Sequence, residues 1–161
     1  MKIDNLNSYQ NNPNIFDKIV DKIYEISKHL NKSYPNYEKW FYETHIAGCK
    51  ENKRDIIFVT NEQEQIVAIS CLKKHKEEKK ICTLLVLEKY RKQGVSDLIL
   101  KASFKYLGTT KPLITISEDN VSSFEKIISK FEWELCEVVD GIYCDNKKEF
   151  CFNGKITNKN I

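Results

Sequence analysis

Residues 90–97 (YRKQGVSD) place two cations, an amide and a glycine between an apolar segment and a helical pattern. The first four N–H groups of a helix lack internal partners, and together with the helix dipole they attract anions. Gly94 has no Cβ, so an anion can approach the backbone closely, and Arg91 and Lys92 add positive charge. The segment therefore predicts a site for phosphate or pyrophosphate at the carboxyl end of a strand.

A plain polar loop is the alternative interpretation of residues 90–97. In that case Asp97 would only complement the dipole in the first turn of the helix. The sequence contains neither a Walker phosphate loop nor a GxGxxG dinucleotide fingerprint. Because one glycine is a weak signal, the choice depends on the elements around it.

The spacing of apolar residues predicts those elements. Predicted helices cover 15–30, 37–48, 95–106 and 121–131, and predicted strands cover 1–3, 55–60, 65–72, 80–87, 112–117, 134–143 and 148–153. The nearly unbroken apolar run 81–87 predicts a central strand buried on both faces. The order β-α-α-β-β-β-α-β-α-β-β predicts an α/β fold with a mixed, partly parallel and partly antiparallel sheet and helices on both faces. We expect a single domain over 1–155 and a frayed tail at 156–161.

Composition excludes several classes of protein. Of the 161 residues, 41% are hydrophobic, which is enough for a core, and no run approaches the ~20 apolar residues of a membrane helix. The start of the chain lacks the apolar core of a signal peptide, so we expect a cytoplasmic protein without a membrane partner. The six cysteines form no C-x-x-C pair, which predicts reduced thiols and no metal site.

The charged run 73–80 mixes both signs, within a chain whose formal net charge is only +3. It is interpreted as a solvated hairpin tip between two strands. The alternative, a nucleic-acid-binding patch, ranks last because no aromatic residues are interleaved with the cations.

The strand–Arg91-x-x-Gly94-x-Ser96–helix unit resembles the acyl-CoA-binding motif of the GNAT (Gcn5-related N-acetyltransferase) family, Q/R-x-x-G-x-G/A. Ser96 departs from the pattern but is small. The predicted order of elements is also similar to that of the family, over nearly the whole chain. The resemblance implies an acyl-CoA N-acyltransferase-like domain with acetyl-CoA as co-substrate.

The resemblance also implies roles for individual positions. Backbone N–H groups would hold the CoA pyrophosphate, and the backbone of the central strand would pair with the pantetheine arm across a gap opened by a β-bulge. The pyrophosphate positions are Arg91, Lys92, Gln93, Gly94, Val95 and Ser96, and the strand positions are Leu84, Leu85 and Val86. Asn120 and Ser123, at the start of the next helix, would also contact CoA; the alternative is that they only cap that helix.

Acyl transfer to an amine needs an oxyanion donor and an acid for the leaving thiolate. The backbone N–H of Val86 is the predicted oxyanion donor. The family often carries a tyrosine acid in the last helix, but Ile127 and Ile128 occupy that place here. Tyr143 is the substitute candidate, and the alternative is that its ring only packs on the sheet.

The amine must also lose a proton, and the family often uses a strand glutamate for this. Candidate bases are Glu88, Glu78 and Cys82, although a buried thiol would be inert. His45 could reach a cleft from the second helix. Aromatic residues that could line an acceptor slot are Tyr34, Tyr37, Trp40, Phe41, Tyr42 and Trp133.

These observations predict an acetyl-CoA-dependent N-acetyltransferase that transfers the acetyl group to a primary amine by direct attack. The acceptor, a small molecule or a protein amine, is not identified by the sequence, and we expect a monomer or homodimer. The alternative is a non-catalytic acyl-CoA sensor or scaffold of the same fold, which the two isoleucines favour.

Overall fold

The computed structural model describes residues 1–156 and has the predicted order of helices and strands. Its strands are β1 (Lys2–Asn5), β2 (Arg54–Thr60), β3 (Ile66–His75), β4 (Glu78–Val86), β5 (Leu113–Ser117), β6 (Leu135–Asp140) and β7 (Lys148–Phe152). Its α-helices are α1 (Pro13–Ser27), α2 (Tyr37–Lys39), α3 (Ala47–Lys50), α4 (Val95–Leu107) and α5 (Val121–Lys130). A π-helical stretch, Trp40–Ile46, joins α2 and α3 into one helical segment, 37–50. Of the tail predicted at 156–161, residues 157–161 lie outside the described residues.

The seven strands form one sheet in the order β1-β2-β3-β4-β5-β7-β6. All neighbouring pairs are antiparallel except β4 and β5, which are parallel and are linked through α4. The predicted mixed sheet is therefore confirmed. The parallel pair places the carboxyl end of β4 beside the start of α4, where the predicted anion site lies.

Helices cover both faces of the sheet, as predicted. One core packs α4 and α5 against the face that carries Leu72, Ile81 and Ile114. A second core packs α1 and the segment 37–50 against the opposite face, through Ile69 and Cys71. No helix within residues 1–156 is both long and apolar enough to cross a membrane.

The second helix does not end at Gly48, as predicted, but continues to Lys50. A Cβ on Gly48 would lie 2.6 Å from Cδ of Arg54, so the glycine makes room for that side chain. Gly48 therefore lies inside the helical segment, and its role in the fold is close packing.

The charged run 73–80 is mostly strand, because β3 reaches His75 and β4 begins at Glu78. Lys73 and Lys80 are buried, and Lys73 forms an ion pair with Glu78. The interpretation of this whole run as a solvated tip was therefore wrong. Lys74, Lys76 and Glu77 are exposed, so only the middle of the run is solvated.

Candidate active site

The parallel strands β4 and β5 pair at only two positions and then separate. Lys80 lies opposite Leu113 and Ile81 opposite Ile114, and beyond Ile81 the strand β4 pairs with β3 alone. At this point Cys82 is an extra residue in the β3–β4 ladder, which makes a β-bulge. The bulge bends β4 away from β5 and leaves a gap beside residues 82–86.

Alternation along β4 decides which backbone groups face the gap. Leu87 N donates to Val67 O at 2.9 Å, so in an antiparallel ladder the N–H and C=O of Leu85 also point to β3. The N–H groups of Leu84 and Val86 then point to the opposite side, into the gap. Of the three predicted pantetheine positions, Leu84 and Val86 are suitably oriented, and Leu85 is already bound to the neighbouring strand.

The turn 91–94 at the end of β4 has two residues with positive φ. Lys92 has φ +59° and Gly94 has φ +80° with ψ 0°. A Cβ on Gly94 would meet no atom within 4 Å, so the glycine is required by its backbone conformation and leaves open space outside it. Such turns direct successive N–H groups into one concavity, which suits an anion.

The start of α4 adds further donors to this concavity. The first helical bond runs from Leu98 N to Gly94 O at 3.1 Å, so the N–H groups of Val95 and Ser96 precede it. No side chain caps this helix at Gly94. Val95 is buried in the core, so its contribution to an anion site is restricted to its backbone.

Side chains of the turn brace it against the strand. Arg91 Nε donates to Val86 O at 3.1 Å, and Gln93 Nε2 donates to Lys89 O at 2.8 Å. The Arg91 side chain therefore ties the turn to the end of β4, a role that its charge alone did not suggest.

Asn120 and Ser123 lie at the start of α5. The predicted side-chain cap is absent: Asn120 Nδ2 instead donates to Ser117 Oγ at 3.0 Å, and Ser123 N bonds to Asn120 O. Asn120 lines the cavity described next, whereas Ser123 is exposed one turn further along the helix.

A cavity of about 330 Å³ opens at the fork between β4 and β5. Its strand walls are residues 80–84 of β4 and 114–117 of β5, and its aromatic walls are Tyr34, Tyr37, Trp40, Phe124 and Tyr143. Leu84 is the last residue of β4 that lines it, two positions before Val86. The N–H of Leu84 is thus closer to the cavity than that of Val86, the predicted oxyanion donor.

The predicted aromatic slot is only partly formed. Phe41 is fully buried in the core, Trp133 donates its Nε1–H to Thr110 O on the other side of the sheet, and Tyr42 packs against Tyr24. Tyr34, Tyr37 and Trp40 do line the cavity.

Glu149 of β7 lies behind the cavity wall and is only 3% exposed. Tyr34 Oη donates to its Oε1 at 3.4 Å, while its Oε2 is buried and accepts no hydrogen bond from residues 1–156. Burial raises the pKa of Glu149 to about 7, although the Lys80 ammonium opposes the shift. Burial also raises the pKa of Tyr34 to about 12, with the Glu149 charge contributing.

Lys80 is the cation of this cluster and lines the same cavity. Its burial lowers its pKa, and the nearby Arg54 and Lys73 add to the effect. Glu149 was not among the predicted site residues, and Lys80 was expected in a solvated hairpin tip. The two-residue alternation of side chains along a strand could have indicated their burial. Glu149 lies two positions from Cys151, and Lys80 two positions from Cys82, so each charged residue shares a strand face with a cysteine expected to be buried.

Tyr143 lines the cavity from the loop after β6, not from a strand as predicted. Its ring packs edge-on against Tyr34 with centroids 5.7 Å apart, and its hydroxyl interacts with Thr115. Burial raises the pKa of Tyr143 well above its usual value. A neutral phenol at the cavity wall can donate a proton.

The candidate bases fall in different places. Glu88 is exposed in the turn beyond β4, outside the cavity lining, and Glu78 is engaged by Lys73 at the hairpin. Cys82 lines the cavity at the bulge, and Arg54 Nη1 donates to its Sγ at 3.6 Å. Of these three predicted candidates, Cys82 alone reaches the cavity.

His45 does not reach a cleft and is fully buried. Its Nε2 lies 3.2 Å from Asp55 O and must carry the proton, so its Nδ1 accepts from Arg54 Nη1 at 3.2 Å. Burial, with the Arg54 charge, lowers the pKa of His45 to about 3. The neutral ring thus links the π-helical stretch, Trp40–Ile46, to β2.

No protein-family model matches this sequence, and no curated protein matches it either. Solved structures do match in three dimensions. An aminoglycoside 6′-N-acetyltransferase complexed with coenzyme A is 12% identical, with a TM-score of 0.63, over 98% of this chain and 100% of the other.

Two further structures extend the likeness. A GNAT family acetyltransferase from Elizabethkingia anophelis with acetyl-CoA bound is 12% identical, with a TM-score of 0.52, over 68% of this chain and 80% of the other. Nourseothricin acetyltransferase is 9% identical, with a TM-score of 0.56. The match covers 63% of this chain and 65% of that protein, which is less than two thirds of its length. At these identities the likeness establishes the fold, which is the GNAT fold.

Proposed function

We propose that this GNAT-fold protein is an acetyl-CoA-dependent N-acetyltransferase that acts on a primary amine. One observation carries the proposal: an anion cradle, an open strand edge and a partly open cavity follow one another along β4. The cradle is the turn 91–94 with the start of α4, and the cavity lies at the bulge of Cys82. Neighbours of the same fold that hold CoA or acetyl-CoA support this assignment.

The cradle, the edge of β4 and the cavity offer the kinds of groups that acetyl-CoA needs. The cradle offers backbone N–H groups to a pyrophosphate, and the exposed edge of β4 offers the N–H groups of Leu84 and Val86 to the amides of pantetheine. The cavity beyond Leu84 is walled largely by apolar and aromatic side chains, which suits a thioester and excludes bulk water.

The proposed reaction is a direct attack of the amine on the thioester carbonyl. The new C–N bond forms a tetrahedral oxyanion that the N–H of Leu84 stabilises, and the C–S bond then breaks. Tyr143, whose neutral phenol lies at the cavity wall, protonates the leaving thiolate and regains a proton from the nitrogen of the new amide. No protein nucleophile is required, which leaves Cys82 without a covalent role.

A second candidate function is binding of acyl-CoA without catalysis. The observation that favours it concerns Ile127 and Ile128, which stand where the family often has its acid and pack against the core formed with α4. This alternative keeps the cradle and the gap but makes no use of the cavity. It predicts binding without release of CoA.

The two functions are separated by calorimetry and turnover. We expect wild-type protein to bind acetyl-CoA and to consume its thioester with at least one amine of a panel comprising tyramine, spermidine, kanamycin and a lysine-containing peptide. Loss of thioester absorbance in the far ultraviolet reports turnover without involving the protein's own thiols. The Gly94→Glu variant should lose binding while its thermal unfolding stays cooperative.

Each result has a definite meaning. Absence of binding heat with millimolar acetyl-CoA contradicts both functions. Binding without turnover of any panel amine supports the sensor alternative and rejects the enzyme. Undiminished affinity in Gly94→Glu means that the pyrophosphate lies elsewhere.

A further inference from the structure

We propose that Glu149 is the proton acceptor for the incoming amine, acting through the Tyr34 hydroxyl. The inference rests on the proposed function and deepens it, because it assigns a base and a kind of acceptor. The acceptor is an alkyl amine that arrives as its ammonium ion and must lose a proton before it can attack.

The position of Glu149 in the sheet supports this role. Its Cα lies opposite Ser117 of β5, and Ser117 lines the cavity. Its side chain is on the face that carries α1 and the segment 37–50, since its strand neighbours Phe150 and Phe152 pack on the other face. Tyr34, which also lines the cavity, donates to Glu149 and thus connects the carboxylate to the space where an acceptor would bind.

A structural carboxylate would be expected to have both oxygens bound. Burial of an unpaired charge is costly, and proteins normally satisfy such groups with hydrogen bonds or counter-ions. Glu149 receives one long hydrogen bond from Tyr34, and Oε2 receives none from residues 1–156. By contrast, the buried Asp55 receives hydrogen bonds from Asn5, Asn7 and the N–H of Ile56. Glu149 thus has Lys80 as a nearby cation but one oxygen without a hydrogen bond, which suits a carboxylate that accepts and releases a proton.

The ionisation of the cluster is consistent with a base near neutral pH. The pKa of Glu149 is raised to about 7, whereas the pKa values of Tyr34, Tyr143 and the Cys151 thiol are raised above their usual values. These three groups therefore stay neutral while Glu149 changes charge. Lys80, on β4, is the cation that faces it, and Cys144 lies in the loop beside Tyr34.

The proton transfer is balanced within this cluster. An ammonium N–H bond breaks as the proton passes to Tyr34 Oη, while the proton of Tyr34 passes to Glu149 Oε1. The products are a neutral amine and a neutral carboxylic acid, and the amine nitrogen then has the lone pair that forms the C–N bond. The carboxylic acid returns its proton to solvent before the next cycle.

The decisive variant is Glu149→Gln, which keeps an oxygen that can accept from Tyr34. Its matched control is Glu134→Gln, the same substitution on an exposed residue that precedes β6. For each protein, acetyl-CoA affinity is measured by calorimetry, and kcat/KM is measured against pH with each amine of the panel above. We expect unchanged affinity in both variants, with kcat/KM reduced by about a hundredfold or more in Glu149→Gln alone.

The pH profile gives a readout that a merely structural role would not change. In wild-type protein kcat/KM should rise with pH through about 7, because only the deprotonated Glu149 accepts a proton. Glu149→Gln should lose the inflection near pH 7 and should rise instead as the amine itself deprotonates at higher pH. Lys80→Met should move the inflection to higher pH, since loss of the cation raises the pKa of Glu149 further.

Infrared difference spectra provide a measurement that needs no acceptor. The carboxylic acid band of wild-type protein minus Glu149→Gln should disappear between pH 6 and 8 as Glu149 ionises (a window of about one unit on each side of its pKa). A Glu149→Gln variant that retains the wild-type rate and the inflection near pH 7 overturns this inference and leaves the enzyme intact. Wild-type protein that turns over no panel amine overturns the proposed enzyme and the base together.

Discussion

The Arg54 guanidinium donates from Nη1 to Nδ1 of His45 at 3.2 Å, inside the core between the π-helical stretch and β2. The same guanidinium lies over the Trp40 ring, 6.0 Å from its centroid, and within 3.6 Å of Cys82 Sγ. Thus a buried cation connects the interior to the cavity wall. The arrangement requires a neutral His45, because a protonated ring would face Arg54 with a second positive charge.

Stability should therefore fall in acid through His45. Its pKa is about 6.5 when unfolded and about 3 when folded, so its contribution is full above pH 6.5 and is lost as pH falls towards 3. We expect the free energy of unfolding to fall by about 2 kcal/mol more in wild-type protein than in His45→Gln between pH 7 and pH 5. Urea unfolding at both pH values measures this difference, and parallel pH dependence in the two proteins would contradict it.

Gly48→Ala should destabilise the fold even though alanine is the better helix former. The new methyl would lie 2.6 Å from Cδ and 2.9 Å from Cγ of Arg54, whose far end is fixed by His45 and Trp40. We expect a net loss of about 1–2 kcal/mol, since overpacking of this kind exceeds the gain in helix propensity. Urea unfolding checks this, and a more stable variant would show that Arg54 can move away freely.

Local sequence patterns predicted the helices and strands well, together with the Gly94 turn between β4 and α4, because periodicity and turns are encoded by neighbouring residues. They failed where two distant segments meet. The residues around Gly48 do not predict that Arg54 packs against it. The residues around Glu149 do not predict its contact with Tyr34, which is 115 positions away. β4 begins at Glu78, two residues before its predicted start. Lys80 consequently lines the cavity and does not lie in a solvated tip.

Gly94→Ala and Gly108→Ala form a matched pair at the two ends of α4. Their φ values are +80° and +73°, so alanine should cost each variant about 1 kcal/mol of stability through left-handed strain. Only Gly94 lies in the anion cradle, so only Gly94→Ala should weaken acetyl-CoA binding, by about tenfold or more. Thermal unfolding and calorimetry measure the two effects, and equal loss of affinity in both variants would assign the effect to the helix as a whole.

Cys82 tests the direct-attack mechanism. If the acetyl group never resides on the protein, Cys82→Ser should keep kcat within about threefold, and initial-rate plots should intersect instead of running parallel. Acetyl-CoA should also slow alkylation of Cys82 by iodoacetamide, while the exposed Cys136 provides the internal control. Peptide mass spectrometry resolves the two sites. Loss of all activity in Cys82→Ser, with a trapped acetyl-cysteine, would replace direct attack by a two-step mechanism.

Tyr143→Phe tests the proposed acid. Removal of the hydroxyl leaves the ring packed on Tyr34 but removes the proton for the leaving thiolate, so kcat should fall by about a hundredfold. The acetyl-CoA affinity should stay constant, because Tyr143 lies at the cavity wall and not in the cradle. Tyr42→Phe, a hydroxyl deletion on a residue that packs against Tyr24 away from the cavity, is the control. An aryl thioester, whose thiolate leaves without protonation, should restore most of the rate to Tyr143→Phe, and an equal deficit with both thioesters would assign Tyr143 to packing.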